Sequence, residues 1–237
     1  MTSLRNEGWR ALVFLGAASG LLAALFWVAP RWLGTAGGAD VALTAALKAT
    51  EPEGLSLNMG EGAPPLVSTR HAFSRVTLPA LDAPAPLRLV ATLDFTGKWG
   101  SVTVSSLGRE EVPLEKHEDA WNPSHGWAPR LVRAVTLLEA RRRALETGDW
   151  PALLQLASGT DETLLRQNGD LMRVLRLSER RYRVASWHLR FERDEVLVSE
   201  RYHLQGTLPD VPVDEHGTVR LVMTARGDEF LFSPPLM

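Results

Sequence analysis

The chain contains no cysteine among its 237 residues. Disulfides, thiolate nucleophiles, cysteine-ligated zinc and iron–sulfur clusters are therefore excluded together. A domain outside the cytoplasm would have to be stable on its hydrophobic core alone, which a chain of this length can provide. Lysine is also scarce, with 3 residues against 23 arginines. The formal net charge of −2 gives no basic excess, so we expect no nucleic-acid partner.

Sequence motifs of common catalytic sites are absent as well. The chain has no GxSxG, no glycine-rich phosphate loop and no HExxH. His117, Glu118, Asp119 and His125 lie within nine residues, but their spacing matches no established zinc site, and a solvated polar loop is the preferred interpretation. We therefore predict no cofactor and no metal, and an enzyme is the less favoured class of function.

A long apolar run lies near the start of the sequence. Residues 11–29 are 19 consecutive residues without a charge. As a helix they would extend about 28 Å, close to the roughly 30 Å hydrocarbon core of a bilayer. Arg5 and Arg10 precede the run, and the positive-inside rule then places residues 1–10 in the cytoplasm. The sequence thus predicts a single-pass bacterial inner-membrane protein, with residues 30–38 as a linker to a periplasmic domain.

Two alternatives concern this apolar run. Ala36 and Gly38 could serve a signal-peptide cleavage site before Ala39, but the run exceeds the usual 7–15 residues of a signal core. A retained anchor in the lipid bilayer is therefore preferred. Gly16 and Gly20 form a GxxxG spacing that would let two such helices pack closely and give a homo-oligomer. The same spacing also arises by chance in spans rich in alanine and glycine.

Residues 39–128 have the pattern of an α+β unit with an antiparallel meander. Apolar and polar residues alternate over 87–95, which indicates a half-buried strand. Turns are predicted at 96–98 and 107–109, and each contains a central glycine. A further strand is predicted over about 68–80.

Residues 129–237 have the pattern of a second α+β unit. Pro129 is placed to begin a long helix that ends at Gly148, and Asp149 is placed to cap a short second helix. After Asn168–Gly169 the chain is expected to return to strands. The class is α+β, either as two units in tandem or as one domain with a single larger sheet.

The second unit resembles the NTF2-like and cystatin-like folds. The resemblance rests on the long helix, then residues 146–158 (ETGDWPALLQLAS), then long strands. In that group a Gly-Asp pair often joins the first two helices, and Gly148 and Asp149 stand in that place. The resemblance implies a curved sheet wrapped on a helix, in a group of folds that hosts both scaffolds and enzymes.

With the predicted anchor, the whole layout resembles the VirB8-type components of secretion channels. Such proteins have a short cytoplasmic tail, one spanning helix and a periplasmic NTF2-like domain. The present chain departs from that plan because the 90 residues of 39–128 separate the linker from the long helix.

Charge is distributed unevenly along the chain. Residues 129–201 carry 14 arginines and 11 acidic residues, whereas residues 40–128 carry 7 basic and 11 acidic residues. Six arginines form two clusters in the first of these segments: Arg141, Arg142, Arg143, Arg180, Arg181 and Arg183. Such runs are usually solvated faces of helices and strands. The alternative is a docking surface for an acidic protein or for anionic lipid headgroups, which guanidinium groups bind through their forked donors.

His188 and His203 lie on adjacent predicted strands, near Asp194 and Glu195. A histidine and a carboxylate in contact could perform acid–base chemistry. However, His188 alternates with the apolar Trp187, so its side chain is expected to point away from the core.

The preferred function is a non-enzymatic scaffold or assembly protein that is anchored in the membrane and acts through protein contacts in an envelope or secretion complex. The alternative is a tethered NTF2-like domain that binds a small ligand or catalyses a reaction. A deep cavity lined with histidines or carboxylates would favour the alternative. A filled interior and an exposed arginine-rich face would favour the scaffold.

Overall fold

The computed structural model describes residues 55–77, 87–117, 120–123, 126–157, 162–209 and 211–237. The predicted tail, membrane span and linker, with Gly16 and Gly20, lie outside these residues. Among the helices of the described part of the chain, none is both long and apolar enough to cross a membrane.

The described residues form nine strands and four helices. The first five strands are β1 (Ser56–Leu57), β2 (Leu66–Thr77), β3 (Leu87–Trp99), β4 (Val102–His117) and β5 (Ala120–Pro123). The helices follow as α1 (Pro129–Thr147), α2 (Trp150–Leu156), α3 (Glu162–Arg166) and α4 (Gly169–Leu175). The last four strands are β6 (Ser178–Phe191), β7 (Glu195–Leu208), β8 (Val211–Arg226) and β9 (Glu229–Ser233).

All nine strands belong to one sheet, in the order β1-β2-β3-β4-β6-β7-β8-β9, with β5 paired to β4. Neighbouring strands are antiparallel except β4 and β6, which run parallel over Thr103–Gly108 and Ser186–Phe191. This parallel pairing joins the strands of residues 39–128 to those of residues 129–237. The arrangement is therefore one larger sheet, rather than two sheets in tandem.

The sheet curls around α1. This helix contacts β4, β6 and β9, and β4 and β9 are four strand positions apart in the sheet. One helix touches both strands only because the sheet bends around it. The apolar residues that recur at helical spacing on α1 are fully buried: Leu131, Val135, Leu138 and Leu145. The predicted α+β class is confirmed, with a curled sheet covered by helices.

Both ends of α1 follow local sequence signals. Pro129 occupies the first turn, where its missing N–H costs no helical hydrogen bond. Gly148 adopts a left-handed conformation with φ of 74° and ends the helix. The Asp149 side chain then accepts from the Ala152 amide and caps α2. The predicted beginning and end of this helix and the predicted cap are confirmed.

A buried carboxylate on β4 accepts hydrogen bonds from the free amide groups at the beginning of α1. The two side-chain oxygens of Glu110 accept hydrogen bonds from the Arg130 and Leu131 amides, at 2.7 and 3.1 Å. Burial raises the pKa of Glu110 to about 7, although these amide donors favour the charged form. The carboxyl group is therefore a buried acid that titrates near neutral pH.

The predicted turns at 96–98 and 107–109 were wrong, because both segments lie inside strands. β3 continues to Trp99, and β4 passes through Gly108 without a break. Gly108 has a φ of 136°, and a side chain there would collide with the Phe191 carbonyl oxygen on β6. This glycine therefore permits the close parallel approach of two strands and marks no turn.

The return to strands expected after Asn168–Gly169 begins later. The Asn168 side chain accepts from the Leu171 amide at 3.1 Å and caps α4, so one more helix precedes β6. Asparagine followed by glycine is common in turns, and here the asparagine acts as a helix cap instead.

An ion pair between Arg141 and Glu200 lies inside the core, with neither side chain exposed to solvent. Arg141 Nη1 donates to both Glu200 oxygens, at 3.0 and 3.2 Å, and Arg141 Nε donates to the Leu236 carbonyl oxygen at 2.7 Å. The Tyr182 hydroxyl and the Trp187 indole N–H also donate to the Glu200 carboxylate, at 2.5 and 2.7 Å. The network connects α1, β6, β7 and the C-terminal residues.

This pair fixes geometry more than it adds net stability. Burial opposes the charge on Arg141, but the adjacent Glu200 carboxylate raises the pKa of Arg141 above its ordinary value, so the guanidinium stays charged. Removing two charges from water is costly, and their attraction offsets that cost only when both are present. Either residue alone would be an uncompensated buried charge.

We expect Arg141→Met to destabilise the full chain by about 3–5 kcal/mol, because Glu200 would remain buried without its partner. The double variant Arg141→Met, Glu200→Gln should be more stable than the single variant, since no unpaired charge is left. Urea unfolding in mild detergent, followed by tryptophan fluorescence, measures both values. Arg143→Met is the matched control and should change the free energy of unfolding by less than about 0.5 kcal/mol. The account would be contradicted if the double variant lost as much free energy of unfolding as Arg141→Met and Glu200→Gln lose in total when measured separately.

Glu110 should make stability depend on pH. Its pKa rises from an ordinary 4.5 to about 7 on folding, so its contribution is complete below pH 4.5 and is lost as pH rises through about 7. From about pH 5 to about pH 8 the wild type should lose about 2–3 kcal/mol more than Glu110→Gln. Urea unfolding at both pH values tests this. Glu111→Gln, the same change at the next residue, is the control and should keep the wild-type dependence of stability on pH. If wild type and Glu110→Gln lost equal stability between the two pH values, the role assigned to Glu110 would be refuted.

Candidate functional site

The six arginines singled out by the sequence do not form one surface. Arg141 is fully buried, so its assignment to a docking surface was wrong. Arg142 and Arg143 both donate to Glu139 on their own helix, and only Arg143 is well exposed. The reason is helical geometry, since three consecutive residues on a helix point in three directions about 100° apart.

The second cluster is divided in the same way. The Arg180 side chain donates to the Glu146 and Val174 carbonyl oxygens, at 3.2 and 2.8 Å, and so joins the ends of α1 and α4. Arg181 and Arg183 are exposed on β6. Of the six predicted positions, these two lie together on the face of the sheet that points away from α1.

Strand alternation places further basic side chains on that face. On β7, Val198 and Glu200 point into the core, so the intervening Ser199 and the following Arg201 point outward. On β8, Arg220 lies directly opposite Ser199. We define the outer basic face by four of the exposed arginines on β6, β7 and β8: Arg181, Arg183, Arg201 and Arg220.

The guanidinium groups of the outer basic face form no hydrogen bond or ion pair with any residue that the structure describes. Several exposed arginines elsewhere, such as Arg70 and Arg166, are paired with a carboxylate. Asp214 is a carboxylate on the same face, and it is hydrogen-bonded to Gln205 and His203 instead. The face therefore carries positive charge that the described part of the protein does not neutralise.

A shallow depression of about 390 Å³ lies on the outer basic face. Two of the four arginines, Arg183 and Arg201, line it together with His203, His216 and Thr218. The depression lies beside an irregularity in the pairing of β6 with β7, between Val184 and Ser186. Its lining offers hydrogen-bond donors and positive charge, the chemistry that binds anions.

The two histidines selected from the sequence do not form a pair. His188 points outward as predicted, and its Nδ1 lies 2.6 Å from Ser105 Oγ. On β7, Ser199 pairs with His188, and His203 lies four residues further from the β6–β7 turn. The neighbours of His203 are His216 and Asp214 on β8. The expected approach of His203 to Asp194 and Glu195 is wrong, because those residues lie at the opposite end of β7.

The inner face of the sheet is filled by side chains. Trp187, Arg141, Tyr182, Phe95 and Phe232 are the largest, and each is less than 2% exposed. Depressions of about 150 and 330 Å³ lie elsewhere on the described surface, and no histidine lines either of them. Among the described residues, these side chains lie in the space between α1 and the last strands, where the alternative function places a pocket.

Two sets of residues escaped the sequence analysis. Arg201 and Arg220 are isolated in the sequence and meet Arg183 only through strand pairing. Asp214 and His216 likewise join His203 only when β7 and β8 are placed in register. The available signal was the alternation of β7 and β8, but it gives the face of a residue and not its neighbour on the next strand. Glu118, Asp119 and His125 of the polar loop lie outside the described residues.

Chemical modification of the full chain with phenylglyoxal should separate exposed arginines from the buried one. Because their guanidinium groups are exposed and unpaired, Arg201 and Arg220 should be modified in the folded protein. Arg141 should be modified only after unfolding in denaturant, because it is inaccessible until the core opens. Peptide mass spectrometry gives the extent at each site. Modification of Arg141 at the rate of Arg201 in the folded protein would contradict the assigned burial.

Comparison with known proteins finds a weak structural similarity. No family model matches the chain, and no curated protein matches it. Among solved structures, the chain is similar to a presumed ketosteroid isomerase from Shewanella frigidimarina NCIMB 400, with 14% sequence identity and a TM-score of 0.37. The similarity covers 42% of this chain and 90% of the other. A similarity of this size supports no conclusion about activity.

Proposed function

We propose that the chain is a membrane-tethered, non-enzymatic periplasmic protein whose outer basic face docks an acidic protein partner. The observation that carries this proposal is the contrast between the two faces of one sheet. The inner face is filled by its own core, and the outer face presents four arginines without a partner among the described residues. Tethering and location rest on the apolar run at 11–29 and on the arginines that precede it.

Charge complementarity selects an acidic partner. Surface guanidinium groups that are not neutralised within the protein attract carboxylates, steer their approach and bind them through paired donors. Arg183, Arg201 and Arg220 lie on three adjacent strands, which gives a broad and rigid basic surface. A rigid sheet suits a protein surface because little ordering is required on binding.

The NTF2-like family is the finer part of the proposal. α1 and three shorter helices precede the four antiparallel strands β6 to β9, the order expected for that group, and Gly148–Asp149 lies between α1 and α2. The VirB8-type layout further requires the predicted anchor at 11–29. Because such folds host both scaffolds and enzymes, the choice between these classes depends on the site.

The alternative function, a small-ligand or catalytic pocket inside the sheet, is less favoured. The space such a pocket would occupy holds Trp187, Tyr182 and the Arg141–Glu200 pair. Opening it would expose a buried charge network, at a large cost in stability.

Binding of a labelled poly-L-glutamate peptide of roughly 20 residues tests the proposed face, with the full chain held in detergent micelles and EDTA present. Replacing Arg183, Arg201 and Arg220 with Gln should weaken binding about 10-fold at low salt, because three attractive charges are lost. The matched control replaces three exposed arginines off the face, Arg166, Arg176 and Arg193, with Gln. Fluorescence anisotropy should show less than about a 2-fold change for that control.

Salt and lipid provide two further readouts of the same experiment. Affinity of the wild type should fall as ionic strength rises from about 20 to about 300 mM, since exposed charges are screened. Equal weakening in the two triple variants would mean that net charge, and not this face, controls binding. Arginine-dependent binding to phosphatidylglycerol vesicles, without binding to the peptide, would replace the acidic protein with the lipid surface.

A further inference from the structure

Three potential metal ligands meet on the outer face where β7 pairs with β8. His203 and His216 lie directly opposite each other in the antiparallel register. Asp214 is two residues before His216 on the same strand, so its side chain points to the same side of the sheet. No other group of three histidine or acidic side chains within the described residues has this geometry.

The distances are close to those of a metal site. His203 Nε2 lies 2.6 Å from Asp214 Oδ1, and the imidazole rings of His203 and His216 are stacked with centroids 3.9 Å apart. One ligand atom from each of the three residues lies within 4.8 Å of the other two. Ligands about 2.0–2.1 Å from a tetrahedral ion are about 3.3 Å apart. Small rotations of exposed side chains would therefore bring all three to one ion.

A hydrogen bond from Gln205 already holds the Asp214 carboxylate in place. Gln205 Nε2 donates to Asp214 Oδ2 at 3.0 Å and leaves Oδ1 directed at His203. Outer-shell partners of this kind orient the ligands of protein metal sites.

We propose that His203, Asp214 and His216 form a binding site for a divalent transition metal, with Zn²⁺ as the best match. Two imidazoles and one carboxylate suit Zn²⁺ better than Mg²⁺ or Ca²⁺, which prefer oxygen ligands. Three protein ligands leave one tetrahedral position open. Because both histidines line the depression of about 390 Å³, that position is accessible to an external ligand.

The neighbouring arginines determine what the open position would take. Arg183 lies opposite His203 on β6, and Arg201 lies two residues before His203 on the same face. These charges oppose a bare cation, so the site should be weaker than a closed structural zinc site. They also favour an anion as the fourth ligand, such as a carboxylate. The metal site does not depend on the docking function, although a partner's carboxylate could serve both.

Titration calorimetry of the full chain in detergent, prepared without a histidine tag, tests the site with Zn²⁺ alone as the probe. One equivalent should bind with a Kd of about 10 µM, whereas Mg²⁺ should not bind. His203→Ala and His216→Ala should each weaken Zn²⁺ binding about 100-fold, and Gln205→Ala about 10-fold through loss of Asp214 orientation. Bound Co²⁺ should give the strong visible absorption of a tetrahedral ion.

His188→Ala is the matched control, because His188 is exposed on the same sheet face but outside the cluster. It should bind Zn²⁺ as the wild type does. Tryptophan fluorescence of each variant establishes that it is folded. The absence of saturable Zn²⁺ binding to the wild type would overturn the site, as would equal losses in His188→Ala and His216→Ala. The docking assay contains EDTA, so failure of the metal site leaves its result unaffected.

Discussion

The buried pair of Arg141 and Glu200 constrains every layer of this fold. It fastens the middle of α1 to β7, and the Tyr182 and Trp187 donors extend the attachment to β6. Breaking a charged pair in a core is costly, because the remaining charge is then buried without compensation. The helix therefore cannot slide along the sheet without leaving a charge unpaired, and the curl of the sheet is fixed around one helix position.

This constraint also directs the choice of function. The space between α1 and the curled sheet holds the largest buried side chains and an ion pair. Ligand binding on the inner face would require a vacancy in the tightest part of the core. On the outer face, Arg181, Arg183, Arg201 and Arg220 are exposed and form no ion pair with a described residue.

The sequence predicts the individual helices and strands of this fold better than it predicts which of them are in contact. Helical spacing and the Pro129, Gly148 and Asp149 signals determine α1 because they act within a few residues. Gly108 resembles a turn residue, and its role depends on Phe191, a strand more than 80 positions away. The burial of Arg141 had no local signal, since its partner Glu200 lies 59 residues further along the chain. Sequence patterns did not predict the contacts that depend on how distant strands pair.

One strand register controls both the core and the outer face. On β7, Glu200 points inward, and Arg201 and His203 point outward, so the buried pair and the exposed cluster use alternate residues of the same strand. A slip of one residue would expose Glu200 and bury His203, which the unpaired Arg141 would strongly oppose. The interaction that holds α1 thus also holds His203 opposite His216. For this reason the backbone positions of His203 and His216 are fixed relative to each other.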